Sequence, residues 1–296
     1  MRIRFAPISR GVLIAVLSMG LLAVAACSTV RFAYNNIDAV IRFMASDYVE
    51  FDTAQYEQFK TRLDALHQWH RTRELPAYVA LLQTAGGKVA KGVAADDVAW
   101  AIGALRSRYR LLAARAAEDA APLLAQLSDA QIVELEKNFA EKNRKFSKER
   151  LEGDQKKLRQ KRADQLLDYF REMTGKLSDA QEARIERFAD DYGRMTALRF
   201  EDRKRWQGQA LLLLRTERKS PQFAAHLTAL FTHPEEGRSA EYIAASARYE
   251  SGLADLVVDI DRTLTAEQRV RAVRRMQHYT DEFTALSGAR PARSSI

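Results

Sequence analysis

Along most of the chain apolar side chains recur at intervals of three and four, with polar ones between them, the period of helices that bury one face. In the lead-in, Ile37, Val40, Ile41 and Met44 keep that spacing. Phe59, Leu63, Leu66 and Trp69 share the next face, and Glu74-Leu75-Pro76 is expected to end that helix. Pro76 suits the first turn of another, which carries Tyr78, Val79, Leu81 and Leu82 and stops at Gly86-Gly87 or Gly92. A further helix begins near Asp96, with Val98, Ile102, Leu105, Tyr109 and Leu112, and Pro122 is expected to interrupt it or to start a short new turn. Residues 128–174 read as one very long helix, ended by Gly175. Between 140 and 163 its apolar residues are only Ala140, Phe146, Leu151, Leu158 and Ala163, too few for a deep core. That stretch is either a solvated bridge or one arm of a helical hairpin. Residues 178–217 give a second long helix, expected to run antiparallel to the first because the turn between them is short. Ser220-Pro221 opens a short helix ending near His233-Pro234, helices over about 239–262 and 265–287 follow, and 288–296 read as a disordered tail. No segment alternates as a strand does. The expected class is all-α, an elongated helical bundle with a long antiparallel hairpin over about 128–217.

One helix-start pattern recurs. Leu127-Ser128-Asp129-Ala130-Gln131 returns as Leu177-Ser178-Asp179-Ala180-Gln181, as Leu264-Thr265-Ala266-Glu267-Gln268 and, more loosely, as Phe51-Asp52-Thr53-Ala54-Gln55. Each is a capping box: the Ser, Thr or Asp oxygen accepts from an orphan N–H, and the Gln reaches back to the cap. The preceding apolar residue is placed to staple onto the fourth helical position, Phe51 on Tyr56 and Leu127 on Ile132. The copies are unequally spaced, so they do not form a solenoid. Besides plain capping, the pattern resembles the L-T-x-x-Q motifs of Spy-type periplasmic proteins. That resemblance implies an all-helical, ATP-independent chaperone or envelope-stress role.

The N-terminus reads as an address. Arg2, Arg4 and Arg10 precede the apolar run 11–26, which is short for a spanning helix. Val24-Ala25-Ala26-Cys27 resembles a bacterial lipobox, which implies cleavage before Cys27 and acylation of its thiol. Two or three chains anchor stably where one does not. Cys27 is the only cysteine, so lipidation would consume the single thiol. An Asp after the Cys resembles an inner-membrane retention signal, so Ser28 points to the outer membrane. The expected division is a signal peptide over 1–26, the anchor and lead-in over 27–50, and a helical domain over 51–287.

Composition narrows the class further. With 296 residues, 13 Gly, 6 Pro, 47% hydrophobic and 29% charged residues, the chain is neither collagenous, disulfide-stapled nor disordered. The full charge is +8, and removal of three Arg with residues 1–26 leaves 44 basic against 39 acidic residues, or +5. Residues 137–162 hold eleven Lys and Arg against four acids. The excess therefore sits in one arm: Lys137, Lys142, Arg144, Lys145, Lys148, Arg150, Lys156, Lys157, Arg159, Lys161 and Arg162. Such an arm is either a solvated face or a surface for anionic lipid, lipopolysaccharide or an acidic envelope protein. Nucleic acid is not expected as the partner of an exported protein.

A broader resemblance rests on the lipobox, on Arg31-Phe32-Ala33-Tyr34-Asn35-Asn36-Ile37-Asp38, on Trp69-His70-Arg71 and on Glu74-Leu75-Pro76-Ala77-Tyr78. These resemble a family of proteobacterial lipoproteins known as domain of unknown function 6279, which implies location and a helical fold but no catalytic residues. Asp64, His67, His70 and Glu74 form the best metal-like grouping, since His67 and His70 share a helix face and could bind Zn²⁺ with a third ligand. An interhelical contact around Trp69 accounts for the same residues, and no metal or cofactor is expected. Phosphate-loop, dinucleotide and nucleophile-elbow motifs are missing from the sequence. The expected role is non-enzymatic binding or scaffolding at the periplasmic face of the outer membrane. The alternatives are a Spy-like chaperone and an unrecognised hydrolase or metal-binding protein.

Overall fold

The computed structural model describes residues 30–288, the side chains at 191 and 192 excepted. The signal region, Cys27, Ser28 and the tail beyond Gly288 lie outside it. After a helical turn over 30–35, the described chain forms α1 (Ile37–Ser46), α2 (Thr53–Trp69), a π-helical turn (His70–Glu74), α3 (Leu75–Lys91), α4 (Ala95–Leu124) and α5 (Asp129–Arg150). Then come α6 (Gln155–Thr174), α7 (Asp179–Glu217), α8 (Phe223–Thr232), α9 (Ala240–Arg262) and α10 (Ala266–Ser287). No strand occurs among the described residues. The all-α bundle is as expected, and among the described residues no helix is long and apolar enough to cross a membrane.

Three boundaries differ from the sequence pattern. Residues 128–174 are two helices, broken at Leu151–Asp154. Gly153 takes φ +95°, a conformation open to a residue without Cβ. Asp154 then caps α6 by accepting from the N–H groups of Lys156 and Lys157 at 2.9 and 3.3 Å. Conversely, Pro76 does not separate two helices. Its missing N–H would orphan a carbonyl, and its ring would clash with the preceding turn. The chain widens into the π turn instead, where the Leu75 N–H donates to the His70 carbonyl, and α2 runs on into α3. Pro122 likewise sits inside the last turn of α4 without interrupting it.

The hairpin survives the break. The α5–α6 arm runs antiparallel along α7, through Glu136–Arg215, Asn143–Gln207, Phe146–Phe200, Arg159–Asp190 and Arg171–Glu182. At 1.5 Å per residue, α7 is about 58 Å long. Apolar clusters form towards its two ends. Leu127, Ile132, Leu135, Leu211, Leu214, Phe223 and Leu227 pack at one, and Leu167, Leu177, Ile185, Phe188, Leu256 and Ile260 at the other. Ile132 and Ile185 are almost completely buried, each contributing roughly 1.5–3 kcal/mol. Met195, Tyr242 and Ala245 make a smaller cluster between them. The staple at Phe51 goes to Phe59, with ring centroids 5.4 Å apart, while Tyr56 stays exposed.

All four capping boxes form, and they meet in pairs. The Gln55 and Gln131 amides donate to each other's Oε1 at 3.2 and 2.7 Å, and each also donates to a carbonyl beside the other's cap, Gln126 and Glu50. Gln181 and Gln268 do the same at 3.2 and 3.1 Å, donating also to the carbonyls of Thr263 and Lys176. Every cap therefore locks one helix start to another 76 or 87 residues away.

Candidate functional site

The break at 151–154 gives the basic arm a corner. Of the arm's cations, Lys142 pairs with Asp47 at 2.5 Å and Arg159 with Asp190 at 2.6 Å. Lys137 and, nearer the break, Arg144, Lys145, Lys148, Arg150, Lys156, Lys157, Lys161 and Arg162 have no carboxylate in ion-pair reach among the described residues. Elsewhere some arginines are matched, Arg31 to Glu282, Arg205 and Arg238 to Asp202, Arg269 to Asp261 and Arg275 to Glu172, while Arg62, Arg73, Arg187, Arg203, Arg248, Arg262, Arg271 and Arg274 form no ion pair among the described residues. The corner differs in that its unpaired cations crowd along one stretch, with Glu149, Glu152 and Asp154 among them, and its net positive potential extends outward into solvent.

Beneath the corner lies a cavity of about 530 Å³, bounded by α5, α6, α7 and α9. Arg150, Lys161, Arg162 and Arg199 bring positive charge to it and Glu149 one negative charge, while Phe146, Leu158, Leu166, Tyr169 and Tyr249 form its apolar wall. Phe146 stacks on Phe200, and the Arg199 guanidinium lies over the Tyr249 ring at 4.9 Å. Arg162 crosses α7 at Gly193, where a Cβ would come within 2.8 Å of its Nη2. A Cβ there would displace the end of the guanidinium. The Arg162 Nε is buried with no hydrogen-bond partner among the described residues. An anionic group entering the cavity would meet this donor, cations at the rim and aromatic faces behind. Arg199, Tyr169 and Tyr249 are additions that the linear pattern did not single out, because α7 and α9 bring them from distant positions.

The metal-like grouping is not assembled as a ligand set. His67 and His70 stay together beside Tyr34, but His70 Nδ1 shares a 2.8 Å hydrogen bond with Tyr34 Oη, and Glu74 turns to Arg108 at 3.5 Å. Asp64 stays exposed beside Arg42. Among the described residues no group of three or more His, Cys, Asp or Glu could hold a metal ion. Instead, His67 and His70 line an apolar cavity of about 190 Å³ with Tyr34, Ile37, Ile41, Leu63, Leu66 and Leu112. Burial lowers the pKa of both imidazoles, and Arg71 lowers that of His67 further. Burial also pushes the Tyr34 hydroxyl up to about 12. The Tyr34 hydroxyl therefore stays protonated, and the tautomer of His70 sets which of the two donates. The lipidation candidate Cys27 lies outside the described residues.

The family described as Family of unknown function (DUF6279) matches residues 47–243, and the chain belongs to it. No curated protein and no solved structure matches the chain.

Proposed function

We propose that this protein is a lipid-anchored component of the cell envelope, held by Cys27 at the periplasmic face of the outer membrane. In this reading it binds an anionic surface through the α5–α6 corner and performs no chemistry on it. The observation that carries the reading is the corner itself, where eight cations with no carboxylate partner among the described residues follow one another along α5 and α6, and three of them, Arg150, Lys161 and Arg162, line one partly aromatic cavity. Lipid phosphates, the phosphates of lipopolysaccharide and an acidic protein face all present the charge that this corner lacks.

The test uses a soluble chain starting at Ser28 and co-sedimentation with vesicles. Each Lys or Arg at an anionic surface contributes about 1 kcal/mol. Lys145→Glu, Lys148→Glu, Lys156→Glu and Lys157→Glu together are expected to weaken binding to anionic vesicles by more than about a hundredfold. Half-molar salt is expected to do the same in the parent. Unchanged binding of the fourfold variant would refute the corner's role. The aromatic wall beside the cations also favours a second reading, a holdase for unfolded chains. Its distinguishing result is salt-sensitive suppression of aggregation of a chemically unfolded protein.

A further inference from the structure

The corner is not the protein's sole unmatched surface. α1 buries none of its residues. Its inner side is fixed to the body. Ile37 and Ile41 line the small cavity against Leu63, Leu66 and Leu112, and Arg42 joins Asp38 at 2.7 Å and Asp64 at 4.0 Å. Just before it, Arg31 donates twice to Glu282, both bonds at 2.9 Å, and Arg71 donates to Asn35 at 2.7 Å. With that side held, the apolar residues on the other side point away from the bundle. Phe32 and Phe43 are 70% and 71% exposed, Met44 55% and Val40 47%. Val40, Phe43 and Met44 stand at i, i+3 and i+4, a continuous ridge on one helix face.

We propose that this ridge is a membrane-contact surface: α1 lies along the bilayer with Phe32, Val40, Phe43 and Met44 in the boundary between headgroups and acyl chains. The inference rests on the anchoring reading given above. The occupant follows from what precedes the helix. Residues 11–26 are apolar, and Cys27 stands five residues before Phe32. An extended chain covers at most about 3.6 Å per residue, so Phe32 stays within about 18 Å of an anchor at Cys27. A retained apolar segment would hold it as close. Charge agrees with the same occupant. Lys142 reaches Asp47 directly after α1, so the basic stretch begins where the apolar ridge ends. An apolar helix face next to a stretch with net positive charge is the combination that seats on anionic membranes.

The experiment uses the full chain, expressed so that its N-terminus is processed, then reconstituted in vesicles of phosphatidylethanolamine and phosphatidylglycerol. Phe43→Cys carries an environment-sensitive fluorophore. Val270→Cys serves as the reference, an exposed apolar position at the other end of α10 from Glu282. Circular dichroism and thermal melting confirm that both variants fold. The label at 43 is expected to be reduced by aqueous dithionite about tenfold more slowly than the label at 270, and to be quenched by lipid-borne nitroxides. Equal dithionite rates in protein that floats with the vesicles would overturn the membrane contact and leave the anchor intact. Protection at 43 without lipid quenching would assign the ridge to protein, either residues 11–26 or a second copy, and overturn the proposal too. Failure to float, with Cys27 of the parent taking up label, would refute the anchor and the inference with it.

Discussion

The paired capping glutamines give the most quantitative consequence of the fold. Gln181 is 2% exposed, and its amide is saturated by its own cap, by Thr263 and by Gln268. Replacing Gln268 with Met keeps length and apolar volume but removes four hydrogen bonds. These are the Thr265 N–H cap, the bond to the Lys176 carbonyl and both bonds between the amides. At about 1 kcal/mol net for each bond, and about 1 more for leaving Gln181 half satisfied in the interior, Gln268→Met is expected to cost about 5 kcal/mol. Gln181→Met loses the matching set, including the Ser178 cap and the Thr263 carbonyl, and is expected to cost about the same. The double variant counts the two shared bonds once and strands no buried amide, so it should cost about 6 kcal/mol, well below the additive value of about 10. The assay is urea unfolding followed by circular dichroism and by tryptophan fluorescence, with coincident transitions as the condition for using the cycle. Additivity to within about 0.5 kcal/mol would mean that the two amides are independent helix caps, and the interhelical lock would be refuted.

Two further outcomes follow from the lead-in. The His67 and His70 imidazoles have folded pKa values below the unfolded value of about 6.5, so the unfolded chain takes up protons first as pH falls. Their contribution to stability is full above about pH 6.5, and acidification from there towards the folded pKa values should erode it. Thermal melts of the parent and of His67→Phe/His70→Gln over that range check this, and a parent melting point that rises on acidification relative to the variant would contradict it. Glu282 is 1% exposed and bonded to Arg31, whose side chain is about half exposed. Arg31→Ala should cost about 1–3 kcal/mol, less than for a fully buried pair because water reaches the arginine. It should also open the 30–47 stretch to limited proteolysis, while Arg31→Met/Glu282→Leu regains most of the loss; an unchanged melt and digestion pattern for Arg31→Ala would show that the strap is idle.

Local chemistry was legible in the sequence wherever one residue's neighbours decide the outcome. Ser128, Ser178, Thr265 and Asp52 mark helix starts because capping needs only a residue and the turn after it. The break at 151–154 was also written locally, as Gly153 followed by a capping Asp154, but the surrounding helical period masked it. Pro76 misled in the opposite direction, since a π turn absorbs the missing donor and the periodic pattern does not encode that option. What was illegible depends on distant partners. Nothing near Gln181 announces Gln268, and nothing near Lys161 announces Tyr249. The same applies to charge. Eleven cations in the arm could be counted from the sequence, but which of them lack a carboxylate depends on what α7 presents opposite.

That distribution separates support from interaction. At both ends of α7 the polar groups are spent inward, on amide pairs, caps and ion pairs that fix apolar layers in register. Near its middle the opposite holds. The arm breaks, the aromatic wall is only partly covered, and Arg162 lies against the backbone of α7 at Gly193. Neutralising this corner would have required only Asp or Glu at a few exposed sites on α6 or α7, where substitution costs little. Leaving eight like charges together instead sets their mutual repulsion against folding, and the ends of the bundle must offset it. A solvated face with no further role would gain stability from interspersed acids. Replacing exposed Gln155 with Glu, at the first position of α6 and four residues before Arg159, should therefore stabilise the isolated chain by a few tenths of a kcal/mol while weakening its hold on anionic vesicles. If the substitution changed stability alone, the corner would be a tolerated imbalance rather than a binding surface.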